Sequence, residues 1–136
     1  MSDPVRILLA KSSMDGHDRG IRYMARKFRD AGFEVIFTNF LRASEVVATA
    51  LEEDVQAVGV SSSSGGPLPI FKQIIAGLEE SGLDDVLLLG GGIIPAQDRK
   101  TLKDWGVAAI FGPGATAEEA IALIQETVGG AAESAA

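Results

Sequence analysis

The sequence predicts a doubly wound α/β domain on a five-stranded parallel sheet. Three observations carry that reading. Short runs at Val5–Ala10, Phe33–Thr38, Ala57–Val60, Val86–Leu89 and Ala108–Phe111 are apolar, apart from Arg6, Glu34 and Thr38, rather than alternating, as strands covered on both faces are. Helical spacing fills the segments between them. The two kinds of segment alternate along the chain, which builds right-handed βαβ units and a parallel sheet.

Each helix is marked by an apolar stripe. Ile21, Met24, Ala25 and Phe28 mark the first, and Val46, Val47, Ala50 and Leu51 the second. Ile70, Phe71, Ile74, Ile75 and Leu78 mark the third, Leu102 and Trp105 a shorter fourth, and Ile121, Ile124 and Val128 the fifth. Each set recurs at the three- and four-residue spacing that lines one helix face. Gly32 and Gly82 follow helices one and three, where a left-handed residue commonly ends a helix. Ser44 and Thr116 stand near helix starts with glutamates close behind, suited to capping and to the helix dipole. Five strands favour the flavodoxin-like order 2-1-3-4-5. One domain over residues 1–128 is expected, followed by a frayed Gly/Ala/Glu/Ser tail over 129–136.

Composition excludes several classes of function. A net charge of −7 and a pI near 4.6 oppose nucleic acid and anionic membranes, because like charges repel. The absence of cysteine removes disulfides, thiolate nucleophiles and Cys-based metal sites. No apolar run approaches the roughly 18 residues of a membrane span, and no signal-peptide pattern opens the chain. A cytoplasmic protein is expected.

In this topology ligands bind beyond the carboxyl ends of the strands, where the strand order reverses. The loops to inspect are therefore Lys11–Gly20, Ser61–Pro69, Gly90–Gln97 and Gly112–Thr116. The first holds the only histidine, His17, two residues after Asp15. A neutral imidazole ligates metal through one ring nitrogen while a carboxylate holds the other N–H. Asp15 is placed for that task, with Lys11 to orient or balance it. One histidine without cysteine cannot build a zinc site. A metal on His17 must arrive already ligated, inside a tetrapyrrole-type cofactor. Asp18 and Arg19 read as solvated residues at the start of helix one.

The other loops are poor in side chains: Ser61-Ser62-Ser63-Ser64-Gly65-Gly66-Pro67, Gly90-Gly91-Gly92 and Gly112-Pro113-Gly114. Backbone of this kind allows close approach and predicts a long groove for a slim, polar ligand arm. No Walker motif or G-x-G-x-x-G is present. A phosphoacceptor receiver domain needs a carboxylate at the end of strand three, where Val60-Ser61 stands instead. Tyr23 and Trp105 fall in helices rather than flanking a flavin.

These residues resemble a known family. Asp15-x-His17-x-x-Gly20, then Ser61, then Gly91-Gly92 resembles the D-x-H-x-x-G … S-x-L … G-G pattern of cobalamin-binding domains. The stretches Ile7–Lys11, Asp15–Gly20, Gly91–Asp98 and Gly106–Gly114 are similar to the cobalamin domain of coenzyme-A-ester mutases, the methylmalonyl-CoA mutase group. The resemblance implies adenosylcobalamin as the cofactor, bound with its own base displaced and His17 as the lower axial ligand of cobalt. Asp15 would bond the far nitrogen of His17, with Lys11 behind it. Gly16, Asp18, Arg19 and Gly20 would complete that loop. Ser61, Ser63 and Gly65, with Gly91, Gly92, Gly112 and Gly114, would line the groove for the nucleotide tail. Three positions depart from the pattern. The S-x-L leucine is Ser63, a usual histidine is Pro67, and Pro-Pro-Gln-Asp reads Pro95-Ala96-Gln97-Asp98.

The resemblance also implies a partner. The acyl-CoA substrate sits in a (β/α)₈ barrel, for which 136 residues leave no room. The expectation is a small subunit docking on a large catalytic subunit, two of each, in a mutase of the 2-hydroxyisobutyryl-CoA, isobutyryl-CoA or methylmalonyl-CoA type. The alternatives are a corrinoid carrier for a methyltransferase, the small subunit of glutamate mutase, and a domain without ligand.

Overall fold

The apolar runs and stripes form ten alternating elements in a computed structural model that describes residues 4–12, 19–61, 67–83, 85–92, 94–111 and 117–129. They are β1 (Arg6–Ser12), α1 (Arg19–Asp30), β2 (Glu34–Phe40), α2 (Ala43–Glu53), β3 (Ala57–Ser61), α3 (Pro67–Glu80), β4 (Leu87–Gly91), α4 (Ala96–Asp104), β5 (Ala109–Phe111) and α5 (Ala117–Ile124). The sheet is parallel throughout in the order β2-β1-β3-β4-β5, as the alternation predicts.

Side chains of successive strand residues face opposite ways, so the sheet serves two cores. Leu8, Ala10, Val58, Val60 and Leu88 pack with Val46, Val47, Phe71 and Ile74 of α2 and α3, and with Leu102 of α4. Ile7, Leu9, Ala57 and Leu89 pack with Ile21, Ala25 and Phe28 of α1 and with Ala120 and Ile124 of α5. This places α1 and α5 on one face and α2, α3 and α4 on the other.

Four helices stop in the same way. Gly32, Gly82 and Gly106 have φ of +95°, +75° and +110°, and the next residue donates back to the carbonyl five positions earlier: Phe33 to Phe28, Leu83 to Leu78 and Val107 to Leu102. This is the glycine stop expected after α1 and α3. At α2 the left-handed residue is Asp54, with φ 52° and ψ 53°, and Val55 donates to Ala50 at 3.3 Å. At the start of α2, the Glu45 carboxylate accepts from the N–H groups of Leu41 (2.9 Å) and Arg42 (2.8 Å). Those bonds hold its carboxyl below the ordinary 4.5, Arg42 contributing most and Leu41 next. Ser44 lies inside the first turn, so the residue behind it does the capping.

Several boundaries differ from the sequence reading. Gly90 and Gly91 belong to β4, and Lys11 and Ser61 to β1 and β3, because the parallel ladder runs on: Lys11 pairs with Ser61, Ser61 with Gly91, and Gly91 with Phe111. Helix α3 begins at Pro67, since proline lacks only an N–H that the first turn leaves unused. Leu51, a member of the expected stripe on α2, is exposed, as is Trp105, which stands one residue past α4. The fifth helix ends in a π turn over Gln125–Gly129. Of the expected tail, residues 130–136 lie outside the described residues.

The amino end of the sheet is tied together by Gln56. Its side chain accepts from the Arg6 N–H at 2.7 Å. Its own N–H donates to the Arg6 carbonyl, and its carbonyl accepts from Leu87. Arg6 also pairs with Glu34 at 3.0 Å and donates to the Glu53 carbonyl at 2.7 Å.

Candidate functional site

At the carboxyl edge, strand register assembles one row. Lys11, Ser61 and Gly91 stand side by side on β1, β3 and β4, with Asn39 beyond Lys11 on β2 and Phe111 beyond Gly91 on β5. By alternation their side chains share the α1–α5 face with Leu9, Ala57 and Leu89. The chain leaves β1 toward α1 on that face and leaves β3 toward α3 on the other. A crevice opens between adjacent strands whose connections part in this way. Strand register thus brings Lys11, Ser61 and Gly91 together.

Lys11 is 9% exposed, the only buried charged side chain among the described residues. A lysine ammonium goes that deep only when held, and Lys11 is not without a partner. Ser61 and Gly91 add almost no bulk beside it.

The glycines of the sheet serve different ends. A Cβ on Gly59 would stand 2.9 Å from Leu9 Cδ2, and one on Gly90 would stand 3.2 Å from the Phe71 ring. Both are glycine because neighbouring side chains take the space. Among the described residues, a Cβ on Gly91 would meet only the Phe111 carbonyl oxygen, at an ordinary 3.5 Å. The described packing does not require glycine there. Gly92, with φ +106°, needs glycine for its backbone. Its N–H donates to the Phe111 carbonyl at 3.3 Å, which anchors the start of the next loop on β5.

Arg99 of α4 carries no motif signature and escapes sequence reasoning. Its Nε donates to the Ile94 carbonyl at 3.0 Å, bracing the segment after Gly92 over the buried Ile94. Asp15, Gly16, His17, Asp18, Ser63, Gly65, Gly112 and Gly114 lie outside the described residues. Arg19 and Gly20 open α1. Among the described residues no cluster of three His, Cys, Asp or Glu side chains forms a metal site. No helix among them is long and apolar enough to cross a membrane.

Fold and edge together define an open α/β domain of the class whose ligands bind beyond the carboxyl ends of the central strands. The B12 binding domain family matches residues 5–122, and the chain belongs to that family. It is 44% identical over 109 residues to the 2-hydroxyisobutanoyl-CoA mutase small subunit of Aquincola tertiaricarbonis, covering 79% of this chain and 80% of that one. It is 42% identical over 122 residues to the pivalyl-CoA mutase small subunit of Xanthobacter autotrophicus, covering 89% and 82%. The chain also matches methylmalonyl-CoA mutases, among them that of Escherichia coli, of which it spans 15%. A cobalamin-binding protein from Desulfitobacterium hafniense shares the fold, with a TM-score of 0.77, 21% identity, and coverage of 92% of this chain and 60% of that one.

The described edge fits such a cofactor. A row of one buried cation, one hydroxyl and one glycine offers polar partners and little side-chain bulk to a slim arm.

Proposed function

We propose that this chain is the cobalamin-binding small subunit of an adenosylcobalamin-dependent acyl-CoA mutase. It works in the cytoplasm on a large subunit that holds the acyl-CoA in a (β/α)₈ barrel, two copies of each forming the assembly. One observation carries the reading: the family match runs from residue 5 to 122, while the chain spans four fifths of a mutase small subunit. Among the small subunits matched, the 2-hydroxyacyl type is favoured slightly, by 44% identity against 42% for the pivalyl-CoA type.

When bound, adenosylcobalamin supplies a weak cobalt–carbon bond as a source of radicals. The work of this chain is to bind and orient it. His17 would offer a ring nitrogen to the cobalt, and Asp15 would accept from the other ring N–H, fixing the tautomer. Lys11, buried at the end of β1, would balance the Asp15 charge. Gly16, Asp18, Arg19 and Gly20 would shape the loop around His17. The nucleotide arm would run in the crevice between β1 and β3, lined by Ser61, Ser63, Gly65, Gly91, Gly92, Gly112 and Gly114, where glycine lets backbone approach it closely.

Spectroscopy with turnover tests this reading. The full chain with its large subunit and cob(II)alamin should give an EPR spectrum with one axial nitrogen, and ¹⁵N-histidine labelling should change that splitting. A splitting that follows only the benzimidazole nitrogen overturns the His17 assignment. Asp15→Asn should lower cofactor affinity or activity by about ten- to a hundredfold. The loaded complex should isomerise a branched or 2-hydroxyacyl-CoA ester; no turnover across such a panel overturns the mutase reading.

A further inference from the structure

Helix α1 holds more charge than the fold itself uses: Lys27 pairs with Glu118 of α5 at 3.8 Å and Arg22 has an interaction of its own, but Arg26 and Arg29 remain. It carries Arg19, Arg22, Arg26, Lys27 and Arg29 against one acid, Asp30, a local charge of +4 in a chain of −7, so the remaining residues together carry −11. Like charges three and four positions apart repel along a helix, and Arg22, Arg26 and Arg29 are spaced in that way. Arg22, Arg26 and Arg29 are exposed, and Arg26 and Arg29 have no ion-pair partner among the described residues. Solubility does not call for such a stripe, since the rest of the chain is already strongly charged.

Beside the stripe lies an apolar seat. Arg22, Ala25, Arg29 and Phe37 enclose a groove of about 240 Å³. Phe37 belongs to β2, the outer strand of the sheet, and is 36% exposed. The groove therefore offers the Phe37 ring to an apolar side chain, over a floor at the nearly buried Ala25, with the Arg29 guanidinium beside it suited to a carboxylate.

We infer that this α1–β2 face is a second docking surface, which receives an acidic segment of the large subunit with one apolar side chain seated on Ala25 and Phe37. The inference rests on the small-subunit reading above. A two-fold contact with a second copy would set two basic helices against each other. Nucleic acid would meet the repulsion of the −11 elsewhere. An acidic protein segment meets neither obstacle. Helix α1 also starts at the carboxyl edge, so a subunit that covers the cofactor there reaches this face by continuing along the helix.

Titration calorimetry of the full chain, loaded with cobalamin, against its large subunit tests the surface at about 50 mM and about 300 mM salt. R26E/R29E should bind at least about tenfold more weakly at low salt, with unchanged circular dichroism and an unchanged EPR spectrum of the bound cofactor. K100E/K103E, the same change of charge on α4, should keep wild-type affinity. Phe37→Ala should lose affinity at both salt concentrations, because salt does not screen apolar contact. Wild-type affinity in R26E/R29E, or an equal loss in K100E/K103E, overturns the surface and leaves the small-subunit reading standing. Binding of a DNA duplex lost in R26E/R29E overturns the choice of partner. Failure of the wild-type chain to bind the large subunit overturns the small-subunit reading and this inference with it.

Discussion

Gly77 of α3 lies against Val47 of α2 so closely that a Cβ on the glycine would stand 2.7 Å from Val47 Cγ2. Alanine is the better helix former by about 1 kcal/mol, but overpacking costs about 1–3 kcal/mol. Gly77→Ala should therefore destabilise the protein by about 1 kcal/mol in urea unfolding. In a Val47→Ala background the same change should stabilise it. A double-mutant cycle reads the coupling, and additive effects would refute the contact.

Gly90 and Gly91 are neighbours with opposite roles. Gly90→Ala presses on the Phe71 ring and should cost about 1 kcal/mol of stability. Gly91→Ala meets nothing closer than 3.5 Å among the described residues and should leave stability within about 0.5 kcal/mol. Its effect should fall on cobalamin affinity, by about tenfold, equivalent to about 1.4 kcal/mol. Unchanged affinity in Gly91→Ala would remove that position from the site.

These two glycines also show where sequence reasoning ends. Read locally, three consecutive glycines after Leu89 make a loop. The ladder to Ser61 and Phe111 makes the first two a strand, and such pairing is not written in the segment itself. Leu51 teaches the same lesson. It continues an apolar stripe yet is 53% exposed, since no neighbouring helix reaches it. The glycine stops after α1 and α3 were legible because a left-handed residue is a local demand. The strand order followed from alternation, and Lys11, Ser61 and Gly91 from their places at strand ends. Arg99 was not legible, because a carbonyl five residues away leaves no trace in composition.

Glu45 makes stability at α2 depend on pH. Its folded-state carboxyl titrates below 4.5 because the Arg42 and Leu41 N–H groups favour the anion. A depressed value contributes stability above the unfolded one and loses it as pH falls through the folded one. At pH 7 Glu45→Gln should lower Tm. The gap between variant and wild type should narrow as pH drops below 4.5 and close beneath the folded value. A gap independent of pH would assign the effect to side-chain shape rather than charge.

Asp54 occupies the left-handed position that glycine fills after α1, α3 and α4. A side chain there costs more than glycine, and glycine's extra unfolded-state freedom offsets part of the gain. Asp54→Gly should raise stability by about 0.5 kcal/mol, while Gly82→Ala should lower it by about 1 kcal/mol. Chemical denaturation distinguishes the two signs.

The pairing of β1 with β3 also has a consequence for the life of the chain. Ile7 meets Ala57 and Lys11 meets Ser61, contacts that close only after a full β-α-β-α passage has been made. Such long-range closure is slow and costs chain entropy before any contact repays it. A growing polypeptide therefore has no crevice until β3 leaves the ribosome, and the edge is complete only once β4 and β5 have docked. Cofactor loading is a late event in biogenesis, and fragments ending before β3 should hold none.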